Sequence, residues 1–330
     1  MTAGVSRVQS SNRLITESAS DVSAPERGLL RAFLEAYWLR PENALWMFLR
    51  SVTLRRIEIQ QRSLDVSCGD GVFMFLHLGG RFAPEFDVFS AVGALDQVRD
   101  EHADMFDFEG DYRPDVSTRP GHPVDVGCDL KPNLLAKAAR LGLYRDLVQT
   151  DNNLALPFPA DRFQTIYCNA AYWVEKIDPF LGELRRIARP GGRVVLQVKL
   201  ESMREFTLEA YRSVLGERFL DLIGRGRLDC WPTLADRATW ESRFARAGLR
   251  IEGASPFVTR THAHLWDIGL RPLAPLLVRM ANAITPQTRA AIKRDWVDLW
   301  SDLLTPFAKP DVDLFPVRGE PAEIQYTLSH

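Results

Sequence analysis

The stretch Leu64-Asp65-Val66-Ser67-Cys68-Gly69-Asp70-Gly71 sets two glycines and two carboxylates close together. Glycines let a backbone turn sharply and come close to a ligand. A helix opening just after them offers unpaired N–H groups to a carboxylate or other polar ligand. A dinucleotide-binding turn needs a third glycine, but Val72, Phe73 and Met74 follow here. No Gly-Lys-Ser/Thr ending is present, and Asp70 would oppose a pyrophosphate. The expected ligand is therefore not phosphate-rich. Farther along, Asp129 ends one apolar run and Asp151-Asn152 ends another. Asn169-Ala170-Ala171-Tyr172-Trp173 follows a third, and its aromatic rings can wall a pocket. His262 and His264 lie two apart, so in extended chain they point the same way. One of them can serve as a general base for a hydroxyl. No third ligand accompanies them, so no metal site is expected. Each feature has a plainer reading. The glycines can serve any tight turn, Asp129 can cap a helix, and Asp151 can sit in a turn. Tyr172 and Trp173 can be core aromatics, and the histidines can be capping or surface residues.

The elements that must hold these residues follow from periodicity. Helical spacing runs from Glu26 to Leu39 and, after Pro41, from Glu42 to Ile59. Residues 63–67 read as a strand and 72–78 as the helix leaving the glycine turn. Residues 79–122 look irregular and are too long for an ordinary connection. Strands at 123–127, 146–150, 163–168 and 193–200 then alternate with helices at 131–141 and 178–188. Pro190-Gly191-Gly192 stops the second helix. Such alternation predicts a parallel sheet with helices on both faces and ligands at the carboxyl ends of its strands. Beyond Leu200 the expectation is helix at 203–223 and 239–247, then a strand at 249–259. Mostly helical chain follows over 264–305, broken at Pro272, Pro275 and Pro286, and a strand over 323–329 ends the pattern.

The chain has 330 residues, enough for about two domains or one elaborated α/β unit. With 41 Lys plus Arg against 43 Asp plus Glu, the net charge of −2 gives no broad basic surface for nucleic acid. Eight Trp and 18 Phe supply a large core, which rules out disorder throughout. Cys68, Cys128, Cys168 and Cys230 form no Cys-x-x-Cys pair, which fits a reducing compartment. Residues 1–23 read as a loose polar tail without the apolar stretch of a signal peptide. No apolar run is long enough to span a membrane, so a cytoplasmic location is expected.

Taken together, these pieces resemble the class I S-adenosylmethionine-dependent methyltransferases, of the type 11-like domain. LDVSCGDG is similar to the family's first motif, an acid followed by a glycine-rich turn, with Ser67 in place of the first glycine. PVDVGCDLKPNLLAKA resembles the second strand, VQTDNNLALPFPADRFQTIYC the adenine-contacting segment, and ELRRIARPGGRVVLQV the fifth strand and the turn before it. The resemblance covers roughly residues 63–200, with weaker echoes at 237–259 and 322–329. It implies an α/β fold, a Rossmann-like doubly wound sheet of seven strands with the last antiparallel, and helical cap insertions. It implies S-adenosyl-L-methionine as cofactor and S-adenosyl-L-homocysteine as product. By the resemblance the cofactor would be held by Asp65, Ser67, Gly69, Gly71, Asp129, Asp151, Asn152 and Asn169. Asp65 would take its ammonium group, Asp129 its ribose hydroxyls, and Asp151 or Asn152 its adenine edge.

The expected organisation is an N-terminal tail and helices (1–62) and a core (63–259) with an insertion (79–122). A helical cap (260–321) and a final core strand (322–330) complete it. Asn169 to Trp173 sits where amino-directed members carry an Asn/Asp-Pro-Pro-Tyr motif, and both prolines are missing. That argues for a small-molecule or glycan-type acceptor methylated at oxygen, with Tyr172, His262 or His264 as catalytic candidates. Phe82, Phe86, Asp87, Asp104, Phe106, Asp107 and Tyr112 in the insertion suit sugar recognition or, equally, a small core of their own. Three alternatives stay open. They are action on a lipid-linked glycan at a membrane surface, an NAD(P)-dependent nucleotide-sugar oxidoreductase, and a non-catalytic scaffold.

Overall fold

The structure is a computed structural model that describes residues 22–59, 61–92, 112–224, 231–269, 273–315 and 319–330. Cys230, Asp104, Phe106 and Asp107 lie outside the described residues, as does most of the expected tail.

Seven strands form the main sheet: β1 (Ser63–Val66), β4 (Val124–Asp129), β5 (Tyr144–Gln149), β6 (Phe163–Cys168), β7 (Ala188–Lys199), β8 (Arg250–Val258) and β9 (Glu323–Ser329). Their spatial order is β5-β4-β1-β6-β7-β9-β8. The pairs β5·β4, β4·β1, β1·β6 and β6·β7 are parallel, while β9 is antiparallel to both β7 and β8. The expected sheet with an antiparallel last strand is therefore present. The short β2 (Arg81–Phe82) and β3 (Val116–Thr118) pair separately within the insertion.

Helices flank the sheet where the sequence supplies caps and apolar stripes. α1 (Ala24–Ala36) opens with a Ser23–Glu26 capping box and α2 (Pro41–Leu54) with proline at its start. α3 (Val72–His77) leaves the glycine turn, and α4 (Pro132–Leu141) ends at the left-handed Gly142. α5 (Ile177–Ile187) buries Ile177, Phe180, Leu181, Leu184 and Ile187, the stripe its 3.6-residue period predicts. The stretch expected to be helical over 203–223 is broken. It forms α6 (Ser202–Phe206), a 3₁₀ turn, α7 (Arg212–Leu215) and α8 (Glu217–Gly224), with left-handed Gly216 between the last two. α9 (Arg237–Arg246) precedes β8. α10 (Arg260–Ile268), α11 (Ala274–Asn282) and α12 (Pro286–Leu304) fill the segment between β8 and β9.

The strand β7 starts earlier than the sequence suggests and runs through Pro190-Gly191-Gly192. Its register with β6 shifts there, and a Cβ at Gly192 would lie 2.9 Å from the Arg189 carbonyl oxygen. The bulge, not a loop, is what this glycine pair serves.

Alternate strand residues face opposite sides of the sheet. Leu64, Val66, Ile166, Val194, Leu196, Ile324 and Tyr326 share an apolar core with α5 and α9. The opposite side, under α1, α2 and α3, carries polar groups in register: Asp65 beside Tyr167, Gln197 beside Gln325, and Lys199 beside Glu323. The Tyr167 hydroxyl donates to Gln197 Oε1 at 2.9 Å, and Gln197 Nε2 donates to Gln325 Oε1 at 2.8 Å. Gln197 and Gln325 also donate to the Arg50 and Thr53 carbonyl oxygens of α2. Arg50 and Lys199 share the fully buried Glu323, and Trp46 Nε1 donates to the same carboxylate at 3.1 Å. Removing the one anion leaves two buried cations facing each other. Glu323→Ala is accordingly expected to cost about 3–5 kcal/mol of unfolding free energy, and Glu323→Gln less. Urea titration followed by Trp fluorescence checks this.

Candidate active site

The turn after β1 owes its shape to three left-handed residues, Ser67 (φ 58°), Gly69 (φ 58°) and Gly71 (φ 78°). A non-glycine residue there costs about 1 kcal/mol, and Ser67 is held in place by its neighbours. Its Oγ accepts from Asn152 Nδ2 at 2.9 Å. Gly69 N donates to Asp129 Oδ2 at 3.0 Å, and Lys131 N donates to Oδ1 at 2.9 Å. Cys68 N donates to the Cys128 carbonyl and Thr150 N to that of Asp129. The carboxyl ends of β1, β4 and β5 are thereby locked to one another. Nothing would meet a Cβ at Gly69, so this backbone faces open space. At Gly71 an added Cβ would lie 3.0 Å from Tyr144 and 3.2 Å from Leu141, so packing alone requires this glycine.

Asp65 is buried below the turn. Its Oδ2 accepts the Tyr144 hydroxyl at 2.6 Å, while Oδ1 makes no hydrogen bond among the described residues. Burial pushes the carboxyl up to about 7, the tyrosine pulling it down and Asp129 adding to the rise. Asp151 Oδ1 accepts from Asn153 N at 2.8 Å, the turn its plainer reading gave. So the structure brings Asp65, Ser67, Gly69, Gly71, Asp129, Asp151 and Asn152 to one edge of the sheet. Asn169 lies half-buried just after β6. The thiols of Cys128 and Cys168 are both pushed up to about 12 by burial, so neither is a nucleophile near neutral pH.

Tyr172 lies apart from this group. It is buried beside the charged cluster, with Arg50 Nη2 donating to its hydroxyl at 3.4 Å. The Lys199 ammonium sits over the rings of Trp46 (4.3 Å), Tyr172 (4.9 Å), Trp231 (5.2 Å) and Trp266 (5.7 Å). Burial pulls Lys199 below its ordinary pKa, against the attraction of Glu323. Trp173, next in sequence, is exposed. This aromatic enclosure was not anticipated from the sequence. Its one hint is a charged residue closing the apolar β7 and another opening β9.

The histidines correct an expectation. Residues 260–268 are helical, not extended, so His262 and His264 point about 200° apart around α10. His262 belongs to a capping box: Thr259 N donates to its Nδ1 at 3.1 Å, and its Nε2 meets the Phe307 carbonyl at 2.9 Å. Both ring nitrogens are occupied, and burial drives the imidazole down to about 4. It therefore has no nitrogen free to take a substrate proton. His264 is half-buried with its ring edge-on to Phe315 at 5.0 Å.

The described part of the insertion does not form a small core of its own: Val88, Phe89 and Tyr112 join the cluster built by α1, α2 and α3, with Phe82 and Phe86 packed against it. Phe82 contacts Phe75 and Phe86 at 5.0 and 4.6 Å, and Phe86 meets Tyr112 at 5.8 Å. Asp87 is committed to Trp38 Nε1, Phe89 N and Arg289.

The model of the methyltransferase domain family matches residues 121–196, which run from β4 into β7. A search of the curated proteins finds no match. Among solved structures, the chain is similar to an S-adenosylmethionine-dependent methyltransferase of Thermotoga maritima, described as a possible histamine N-methyltransferase. The identity is 9%, coverage is 91% of this chain and 99% of that one, and the TM-score is 0.45. It is also similar to an S-adenosylmethionine-dependent methyltransferase of Mesorhizobium loti, at 15% identity, 86% and 98% coverage and a TM-score of 0.44.

The raised Asp65 also bears on stability. Its pKa goes from 3.8 to about 7 on folding, so the folded state holds that proton more tightly than the unfolded chain. Stability therefore falls as pH rises across that window and is not regained above it. Asp65→Asn, which never ionises, is expected to raise the melting temperature of the ligand-free protein at about pH 8 by roughly a few degrees. Differential scanning fluorimetry at about pH 5 and pH 8 checks this, and the gain should shrink at the lower pH.

Proposed function

We propose that this chain, which carries a class I S-adenosylmethionine-dependent methyltransferase domain, transfers the cofactor's methyl group to an oxygen of a small-molecule or glycan-type acceptor. The observation that carries this reading is the set of ligand-ready polar groups at the carboxyl edge of β1, β4 and β5. Gly69 faces open space, Asp65 Oδ1 accepts no hydrogen bond among the described residues, and each Asp129 oxygen keeps a second lone pair. These fit S-adenosylmethionine group by group. Asp65 meets the ammonium, the turn around Gly69 meets the amino-acid and ribose portions, and Asp129 takes the ribose hydroxyls. Asp151 and Asn152 border the adenine, and Asn169 stands at the neighbouring strand end.

When bound, the cofactor supplies a methyl carbon on a positively charged sulfur, open to in-line displacement. The protein's part is alignment and exclusion of water. An acceptor oxygen approaching from the β6 and β7 ends would meet Tyr172 and Trp173, with the Lys199 enclosure behind them. An acceptor hydroxyl there would have to give up its proton to solvent or to a neighbouring group. The missing prolines after Asn169 and the balanced charge support an oxygen acceptor over adenine, glutamine or nucleic acid.

A second reading, a lipid-linked glycan as acceptor, is supported by one observation. Leu273, Leu276, Met280 and Ile284 are exposed on or beside α11, as are Ile292, Leu299 and Leu303 on and around α12. No helix among the described residues is long and apolar enough to cross a membrane, so contact would be at the surface.

Methyl transfer from labelled S-adenosylmethionine to hydroxylated small molecules and glycans tests the first reading; label appearing only in protein or RNA would sink it. Asp129→Ala is expected to weaken S-adenosylhomocysteine binding by about 1–3 kcal/mol by calorimetry, and unchanged affinity in the folded variant removes the ribose assignment. For the second reading, the chain should co-sediment with anionic vesicles and Leu276→Glu with Met280→Glu should not. A chain that stays in the supernatant excludes it.

A further inference from the structure

Tyr144 opens β5, two strands away from Asp65, yet reaches it. The strand between them, β4, would block the ring but for Gly127, which is paired with Asp65 in the sheet. A Cβ at Gly127 would lie 2.8 Å from Tyr144 Cδ1. On its other side the ring passes Gly71, where a Cβ would lie 3.0 Å from Cε2. Two glycines thus form a slot through which a tyrosine hydroxyl donates to one oxygen of a buried acid, at 2.6 Å. The other oxygen has no partner among the described residues.

We propose that Tyr144 is a positioning residue for the amino-acid end of the cofactor: by occupying Asp65 Oδ2 it fixes the carboxylate's plane and leaves Oδ1 for the ligand's ammonium group. This rests on the reading that Asp65 meets that ammonium. It assigns to Tyr144 a role in ligand recognition rather than in packing alone.

The electrostatic surroundings give the hydrogen bond a second effect. Asp65 faces Asp129 and Cys128 on β4, Cys68 in the turn, Tyr167 and Cys168 on β6, and Tyr144 itself. No cation is among these groups. Burial alone would keep Asp65 protonated, and the Tyr144 hydroxyl is the group that draws it back toward ionisation. Tyr144 is itself held well above its ordinary pKa by burial and by Asp65, so it stays a donor throughout the neutral range. An ammonium group binds the ionised carboxylate, so losing the hydroxyl moves ligand binding to higher pH.

The test is Tyr144→Phe, with thermal melting to establish folding and calorimetry at about pH 6.5 and pH 8.5. The probes are S-adenosylhomocysteine and 5′-deoxy-5′-methylthioadenosine, which has the adenosine and sulfur but no amino acid. The expected result is about tenfold weaker S-adenosylhomocysteine binding at the lower pH, a smaller loss at the higher, and unchanged binding of the truncated probe. Equal losses for both probes, or none for S-adenosylhomocysteine, overturn the proposal. Gly127→Ala, which pushes the ring off its path, should reproduce the selective loss and serves if the phenylalanine variant is poorly folded. Wild-type protein that binds neither probe overturns the underlying cofactor site instead.

Discussion

Glu323 is the anion on which this architecture turns. It lies at zero exposure where α2, β7 and β9 meet, and it compensates Arg50 and Lys199 at once. Neither cation can be buried alone without a large desolvation cost. The four aromatic rings around Lys199 supply the remaining compensation through their faces. Because β9 comes from the far end of the chain, this one carboxylate ties the N-terminal helices to the last strand. The glutamines beside it continue the hydrogen bonding across the sheet to Tyr167, and Tyr167 is paired in register with Asp65. A polar row therefore runs beneath α1, α2 and α3 from the aromatic rings around Lys199 to the glycine turn. Polar rows of this kind carry a strong demand for satisfaction, which fixes strand register as well as stability.

The glycine turn meets two separate requirements. Gly69 keeps an approach open, while Gly71 and Gly127 keep a path clear for Tyr144. Their shared outcome is a buried acid with one oxygen tethered and one without a partner among the described residues. That arrangement costs stability in the absence of a ligand, since burial raises Asp65 so far. Under the proposed cofactor site, this is a trade of stability for ligand binding.

The chain between β8 and β9 is held to the rest of the fold by caps and contacts. Thr259 and His262 cap α10, Thr285 caps α12, and Arg289 and Lys293 of α12 reach back to Asp87 and to the Phe86 carbonyl in the insertion. The insertion and the helical segment thus brace each other.

The sequence by itself located the strands and helices of residues 63–78 and 123–200, apart from the early start of β7 through Pro190-Gly191-Gly192, because hydrophobic period, proline and glycine act locally. It also placed Asp65, Ser67, Gly69, Asp129 and Asn152 at strand ends, and the hydrogen bonds among them follow from parallel strands ending together. It failed for His262 and His264: a capping box set by Thr259 made the segment helical, and the carbonyl of Phe307, distant in sequence, took the remaining ring nitrogen. It also carried no sign that Tyr144 would cross β4, or that Trp46, Tyr172, Trp231 and Trp266 would enclose Lys199. Those depend on which strands become neighbours and on how far a side chain can reach across them. Periodicity reports which face a residue takes. Only the folded sheet, by bringing residues far apart in sequence within a few ångströms, decides which partner it meets there.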